Sequence, residues 1–153
     1  MKRIVTWIVL ACMLVTLLPV SAAYASQAEE IEDVIYFENG DYIVVTLESV
    51  SARTSGTKTV SKTHTYRNSD GDALWAGKLT ATFAYTGTSA TCTAASCSVT
   101  IYDSAWYSVS KAASKSGNTA TANINMACKR LGVVVSRENC IIKLTCDKNG
   151  NIS

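Results

Sequence analysis

The chain is 153 residues long, 48% hydrophobic and 17% charged, with 14 Lys and Arg against 12 Asp and Glu and a single His. The length suits one domain with a modest core. Past the N-terminus the bases are dispersed singly apart from Lys129-Arg130, so the clustered basic face that nucleic acid requires is excluded.

Lys2 and Arg3 precede an apolar run from Ile4 to Val20, and small residues follow, ending in Ala23-Tyr24-Ala25. A charged start, an apolar stretch and an A-x-A site predict a secretory signal peptide over residues 1–25, cleaved after Ala25. A lipoprotein signal at Cys12 would cut the apolar run in its middle, and a retained anchor would be at the short limit of a membrane span. Cleavage leaves about 128 residues and removes Lys2 and Arg3, so that 12 basic residues face 12 acidic ones. Glu29, Glu30, Glu32, Asp33, Glu38, Asp41 and Glu48 all precede the first remaining base, Arg53. An acidic head therefore leads into a basic body.

Ser26 to Asp33 is polar and reads as a loose lead-in. The β-prone runs Val34 to Phe37 and Tyr42 to Leu47 flank Asn39-Gly40, a pair that tolerates the positive φ angles of a type I′ hairpin turn. Glu48 to Thr57 is rich in Ser and Thr and reads as a linker, so residues 26–57 form an acidic N-terminal segment ahead of a domain at 58–153. Lys58 to Arg67 alternates as a strand, and Asn68 to Asp72 is turn chemistry around Asp-Gly. From Leu74 to Tyr85 the pattern is clearest: Trp75, Gly77, Leu79, Ala81, Phe83 and Tyr85 alternate with Lys78, Thr80 and Thr82, the period of a half-buried strand. Thr86 to Ser89 turns the chain, and Cys97, Val99 and Ile101 mark the next strand. Asp103 to Asn118 reads as irregular, with strand around Ala105 to Ser110. Thr119 to Cys128 places Ala120, Ala122, Ile124, Met126 and Cys128 on one side; Leu131-Gly132 turns, and Val133 to Cys146 is the last strand. Short strands at this spacing predict an all-β fold, an Ig-like β-sandwich. Tyr42 to Leu47 would form an open edge unless the acidic head docks on the basic body, within one molecule or by strand addition to a neighbour.

His64 is the side chain whose ordinary pKa lies near neutrality. A hydrolase would pair it with a Ser and with Asp70, Asp72 or Asp103, but no Gly-x-Ser-x-Gly motif accompanies it. Cys128, Cys140 and Cys146 with His64 would make four zinc ligands, yet their spacing fits no common zinc motif. Asp70-Gly71-Asp72 lacks the alternating acidic positions of a calcium loop and reads as a turn. Among the aromatic residues that stack on sugars, Trp75 is in phase with Leu79 and Phe83 and belongs to a core. Trp106 and Tyr107 are candidate ligand-binding residues, but as neighbours on a strand they face opposite sides. No catalytic residue, cofactor or metal is expected.

Five cysteines follow the signal, so at least one has no partner within the chain. Cys140 and Cys146 would lie roughly 20 Å apart on an extended strand, beyond the roughly 7 Å limit between bridged Cα atoms. In a hairpin turning at Leu131-Gly132, Cys128 faces a residue near Ser136 and not Cys140. Unless Cys92 and Cys97 close a short loop together, bridges run from those two toward the C-terminal three.

Ser61-Lys62-Thr63, Thr65-Tyr66, Asn68-Ser69-Asp70-Gly71, Leu74-Trp75, the run from Leu79 to Gly87, Ser89 to Cys92, Ile101 to Trp106, Ser114 to Asn118 and Leu144-Thr145-Cys146 form a pattern of many short matches. Over roughly Lys58 to the C-terminus, the chain resembles a family of uncharacterised small secreted proteins of Gram-positive bacteria. The resemblance implies export from such a cell and a β-rich fold, and it brings no catalytic or binding residue. It implies a Cys92 to Cys146 disulfide, which leaves Cys97 to pair with Cys128 or Cys140; these three cysteines depart from the pattern. The expected product is a secreted, non-enzymatic interaction or structural module at or near the cell envelope, extracellular or wall-associated. Its expected partner is an envelope polymer or another extracellular protein, with membrane contact through the signal peptide alone. The alternatives are a small secreted hydrolase using His64 and a carbohydrate-binding module.

Overall fold

A computed structural model describes residues 30–50 and 56–153. The predicted signal peptide with Cys12, and residues 51–55 of the expected linker, lie outside the described residues. Eight strands follow one another: β1 (Glu30–Tyr36), β2 (Tyr42–Val50), β3 (Thr57–Arg67), β4 (Ala73–Tyr85), β5 (Ala90–Ile101), β6 (Trp106–Ser116), β7 (Thr119–Arg130) and β8 (Val133–Thr145). They form two antiparallel sheets, β1-β2-β3-β4-β5 and β6-β7-β8, stacked as a β-sandwich. Every hydrogen-bonded neighbour is also the next strand in the chain. The Greek-key crossover that defines an Ig-like sandwich is not among these pairings, so the expected Ig-like type is replaced by a meander.

The predicted alternation builds the core. Trp75, Leu79, Ala81 and Phe83 of β4 meet Ala120, Ala122, Ile124 and Met126 of β7 and Ile142 and Leu144 of β8, all essentially without exposed surface. Gly77 shows how closely the sheets approach. A Cβ there would lie 2.6 Å from Ile124 Cδ1 and 3.6 Å from Ile142 Cδ1, so the two isoleucines fill the space that a side chain would occupy. On the outer face of the larger sheet the hydroxyls pair across strands, Thr59 with Thr82 and Ser61 with Thr80, each at 2.9 Å.

Four expectations are corrected. The lead-in is strand from Glu30 onward, and Glu48 to Val50 of the expected linker pair with Ser61, Val60 and Thr59. Asn39-Gly40 does not form a type I′ turn. The Gly40 N–H donates to the Phe37 carbonyl at 3.1 Å and only Gly40 takes positive φ, which is a type I turn closed by a left-handed glycine. The stretch after Asp103 is not irregular: β6 runs through to Ser116, and a register shift between Ser108 and Ser110 breaks the alternation that would have revealed it. The docking expected of the acidic head, by contrast, is present: Tyr42 to Leu47 is no open edge, because β2 lies between β1 and β3. The acidic head docks on the basic body within one molecule, through Glu32 to Lys62 at 2.8 Å and Glu48 to Lys78 at 2.7 Å.

Candidate functional site

The larger sheet is wider than its partner, and β8 packs across β3 and β4, so the inner side of β1 and β2 is left uncovered along one flank. There a concavity of about 330 Å³ is lined by Glu32, Asp33, Ile35, Val45, Lys62 and His64. His64 points inward because it alternates with the buried Val60 and Tyr66. Its Nδ1 lies 3.5 Å from Sγ of Cys140, on β8. Burial, reinforced by the nearby Lys62 charge and opposed by Glu32, lowers the His64 pKa to about 4. Burial also raises the Cys140 thiol to about 11. At neutral pH the pair is therefore a neutral imidazole against a protonated thiol. An activated Cys-His couple has the opposite polarity, with a thiolate held beside an imidazolium.

The partners a hydrolase would need are elsewhere. Asp70 and Asp72 belong to the β3–β4 turn, where Asn68 Oδ1 accepts the N–H groups of both residues at 3.1 and 2.8 Å. Asp103 accepts from the Ala105 N–H at 2.9 Å and pairs with Arg130 at 3.4 Å. The asparagine side chain holds the Asp70-Gly71-Asp72 loop closed, as a plain turn requires. The same geometry recurs at Asp147, whose Oδ1 accepts from Asn149 and Asn151. The Asn151 side-chain amide also donates to Oδ2 at 2.7 Å, and this bond, followed by the backbone ones, holds the Asp147 carboxyl below its usual range.

Zinc is not assembled from its predicted ligands. Cys140 meets His64, but Cys128 pairs in register with Trp106 at one end of β7 and Cys146 lies at the other end, where its N–H donates to the Asn118 carbonyl. Among the described residues no group of three or more His, Cys, Asp or Glu side chains could hold a metal ion.

The aromatic candidates separate as their adjacency demands. Trp106 turns inward and is 6% exposed. It joins Tyr66 and Trp75 in a cluster whose ring centroids lie 5.5 to 6.1 Å apart, Tyr66 stacking on Trp75 at 9°. Trp106 is thus a core residue and not a surface platform for sugar, while Tyr107 faces outward. The Tyr66 hydroxyl donates to Asp41 at 3.0 Å, and burial followed by this bond raises its pKa. Nearby on the outer face of the smaller sheet, Asn125 donates to Ser110, and Asn139 to Asn123 and Asn125, at 2.8 to 3.0 Å. Those amides are largely spent on one another.

All five described cysteines are free thiols, so neither Cys92 to Cys146 nor a second bridge from Cys97 to Cys128 or Cys140 is formed in this structure. Cys92 and Cys146 are nonetheless neighbours. Their N–H groups donate to consecutive carbonyls of the β6–β7 turn, Gly117 at 2.8 Å and Asn118 at 3.0 Å, and both side chains are buried. Burial raises both thiols above their usual pKa, Asp147 adding to the shift at Cys146. Cys97 sits on β5 beside Leu79, whereas Cys140 lies over His64 on β3, with β4 between them. Two strand spacings, roughly 9.5 Å, exceed the reach of a bridge. Cys128 faces Ser136, the position expected for a tight hairpin.

The sequence reading missed one surface feature. β6 begins at Trp106, opposite Cys128, while β7 and β8 continue past it through Lys129 to Val134 and Arg130 to Val133. The tip is thus a two-stranded ribbon projecting beyond its sheet, and every residue from 129 to 135 is exposed. Leu131 at the apex is fully exposed with φ of 48°, followed by Gly132 at 84°. The signal was in the sequence: a Leu where a two-residue hairpin favours Asn, then three valines with no polar alternation.

No family model, no curated protein and no solved structure matches this chain.

Proposed function

We propose that the protein is a secreted, non-enzymatic β-sandwich module that acts by surface contact at or near the cell envelope. The export half of this reading rests on the signal pattern over residues 1–25 and on the resemblance noted above. The contact half is carried by the β7–β8 tip. Leu131, Val133, Val134 and Val135 are held in water on a ribbon fixed by backbone hydrogen bonds, adding nothing to the core. Exposed apolar side chains gathered at one tip gain free energy when another surface covers them. The neutral, electrostatically quiet state of His64 and Cys140 also favours a binding role over hydrolysis.

Fractionation of a producing culture into medium, wall and membrane, with the purified protein assayed on ester, peptide and glycoside substrates, tests both halves. The expected outcome is retention in an envelope fraction without turnover that depends on His64. A specific hydrolytic activity lost in His64→Ala would overturn the reading.

A further inference from the structure

We propose that the β7–β8 tip is an interfacial anchor that inserts Leu131 into an anionic lipid surface; this rests on the reading of the protein as an envelope contact module, and it adds a membrane contact beyond the signal peptide. Three observations carry it. The first is shape: past Cys128 the ribbon has lost β6 as a neighbour, its base is held to the β5–β6 turn by the Lys129 N–H donating to the Ala105 carbonyl at 2.8 Å and by Arg130 beside Asp103 at 3.4 Å, and Leu131 and Gly132 form the exposed apex beyond these contacts. A protruding convex tip enters a deformable bilayer boundary, whereas a protein partner would need a matching pocket. The second is conformation. Leu131 holds a left-handed backbone that suits Asn or Gly and disfavours a branched aliphatic side chain, and its whole side chain lies in water. The third is charge: Lys129 and Arg130 lead directly into Leu131 and both are exposed, Arg130 also pairing with Asp103 at 3.4 Å. Apolar side chains at the apex with bases just behind them suit the acyl boundary and the anionic headgroups above it.

The same end of the sandwich exposes Tyr102, just past β5, and Tyr36, the last residue of β1, and tyrosine favours the headgroup layer. It also carries Glu38, Asp41, Asp70 and Asp72 on turns of the larger sheet and Asp103 on the β5–β6 turn beside Arg130. The anionic surface is therefore met by the hairpin apex, Leu131 with Lys129 and Arg130 behind it, and not by the whole end of the sandwich. A polyanionic wall polymer would use the two bases but leave the Leu131 and Val134 side chains wet, which is why lipid is the favoured occupant.

The test is co-sedimentation of the full mature chain with vesicles of equimolar phosphatidylglycerol and phosphatidylcholine, and with phosphatidylcholine alone, at about 0.1 M salt. Binding to the anionic vesicles is expected to fall about tenfold in Leu131→Asn, a substitution the turn accepts, and in Val134→Thr. Lys129→Gln with Arg130→Gln is expected to lose roughly fivefold per charge on anionic vesicles and little on neutral ones. Circular dichroism confirms that each variant is folded. Wild-type protein that fails to bind the anionic vesicles, or binds them equally after Leu131→Asn, overturns the proposal. So does a wild-type dimer in sedimentation that Leu131→Asn converts to monomer, or retention on purified wall material in place of vesicles. These last two results would leave the contact-module reading standing with a different occupant.

Discussion

Acidification is expected to weaken this fold through His64, and the size of the effect follows from the ring's surroundings. In an unfolded chain an imidazole titrates near pH 6.5; in the folded protein burial against Cys140 and the Lys62 charge bring His64 to about 4. Because the folded pKa is the lower one, the unfolded chain takes up the proton first as pH falls. The stability tied to neutral His64 is thus complete above about pH 6.5 and is lost progressively down to about pH 4. At about 1.4 kcal/mol per pKa unit the gap sets a ceiling of about 3.5 kcal/mol, and solvent reaching the half-buried ring reduces the expected loss to about 2 kcal/mol. Urea unfolding of the wild type and His64→Gln at about pH 7 and about pH 4.5 isolates this contribution, since titration of the carboxylates is common to both proteins. The variant should lose less stability between the two conditions, by an amount approaching the full 2 kcal/mol or so. Parallel pH profiles, agreeing within about 0.5 kcal/mol, would refute the reasoning and mean that His64 takes up its proton in the folded state without cost.

Gly77→Ala places a methyl group 2.6 Å from Ile124 Cδ1 and should cost about 1–3 kcal/mol. Ile124→Val removes that Cδ1, so the double variant should cost less than the two single changes together; strict additivity in a double-mutant cycle would show that the sheets shift apart instead. Leu131→Asn relieves a left-handed leucine and should raise thermal stability by about 0.5–1 kcal/mol while it weakens vesicle binding; a lowered melting temperature would contradict the strain. Mild oxidation of a Cys97→Ala variant should join Cys92 to Cys146, stabilising the fold by about 4 kcal/mol in the chain-entropy model. In a non-reducing tryptic digest Leu79 to Lys111 should then be linked to Leu144 to Lys148, and a free Leu144 to Lys148 peptide would rule the bridge out.

The strands with strict alternation were legible because one face of each meets the core. Trp75 to Phe83 and Ala120 to Cys128 lie inward at the residues where period two placed them. Legibility failed where a bulge shifts the phase, as at Val109 in β6, and where a polar stretch is strand because of its neighbours, as at Glu48 to Val50. The order of the strands is not a property of any one of them, so an Ig-like sandwich and a meander share the same local signals. At the candidate site, His64 was visible as a lone imidazole. Its contact with Cys140 was not, since 76 positions separate them and only the stacking of β8 over β3 brings them together. The apolar tip carried a readable cue in Leu131-Gly132, masked because a turn explains Gly132 without asking why Leu precedes it.

The meander also governs how the chain gets to its fold. Each strand other than β1 and β6, which open the two sheets, finds a hydrogen-bonding partner in the segment just before it, so both sheets can zip hairpin by hairpin, and loop closure costs little conformational entropy. A polypeptide emerging N-terminus first would hold no strand unpaired for longer than the next segment takes to arrive. The non-local step is the docking of the two finished sheets, through Tyr66 and Trp75 on one side and Trp106 on the other. Folding speed should therefore answer to these three rings more than to any turn.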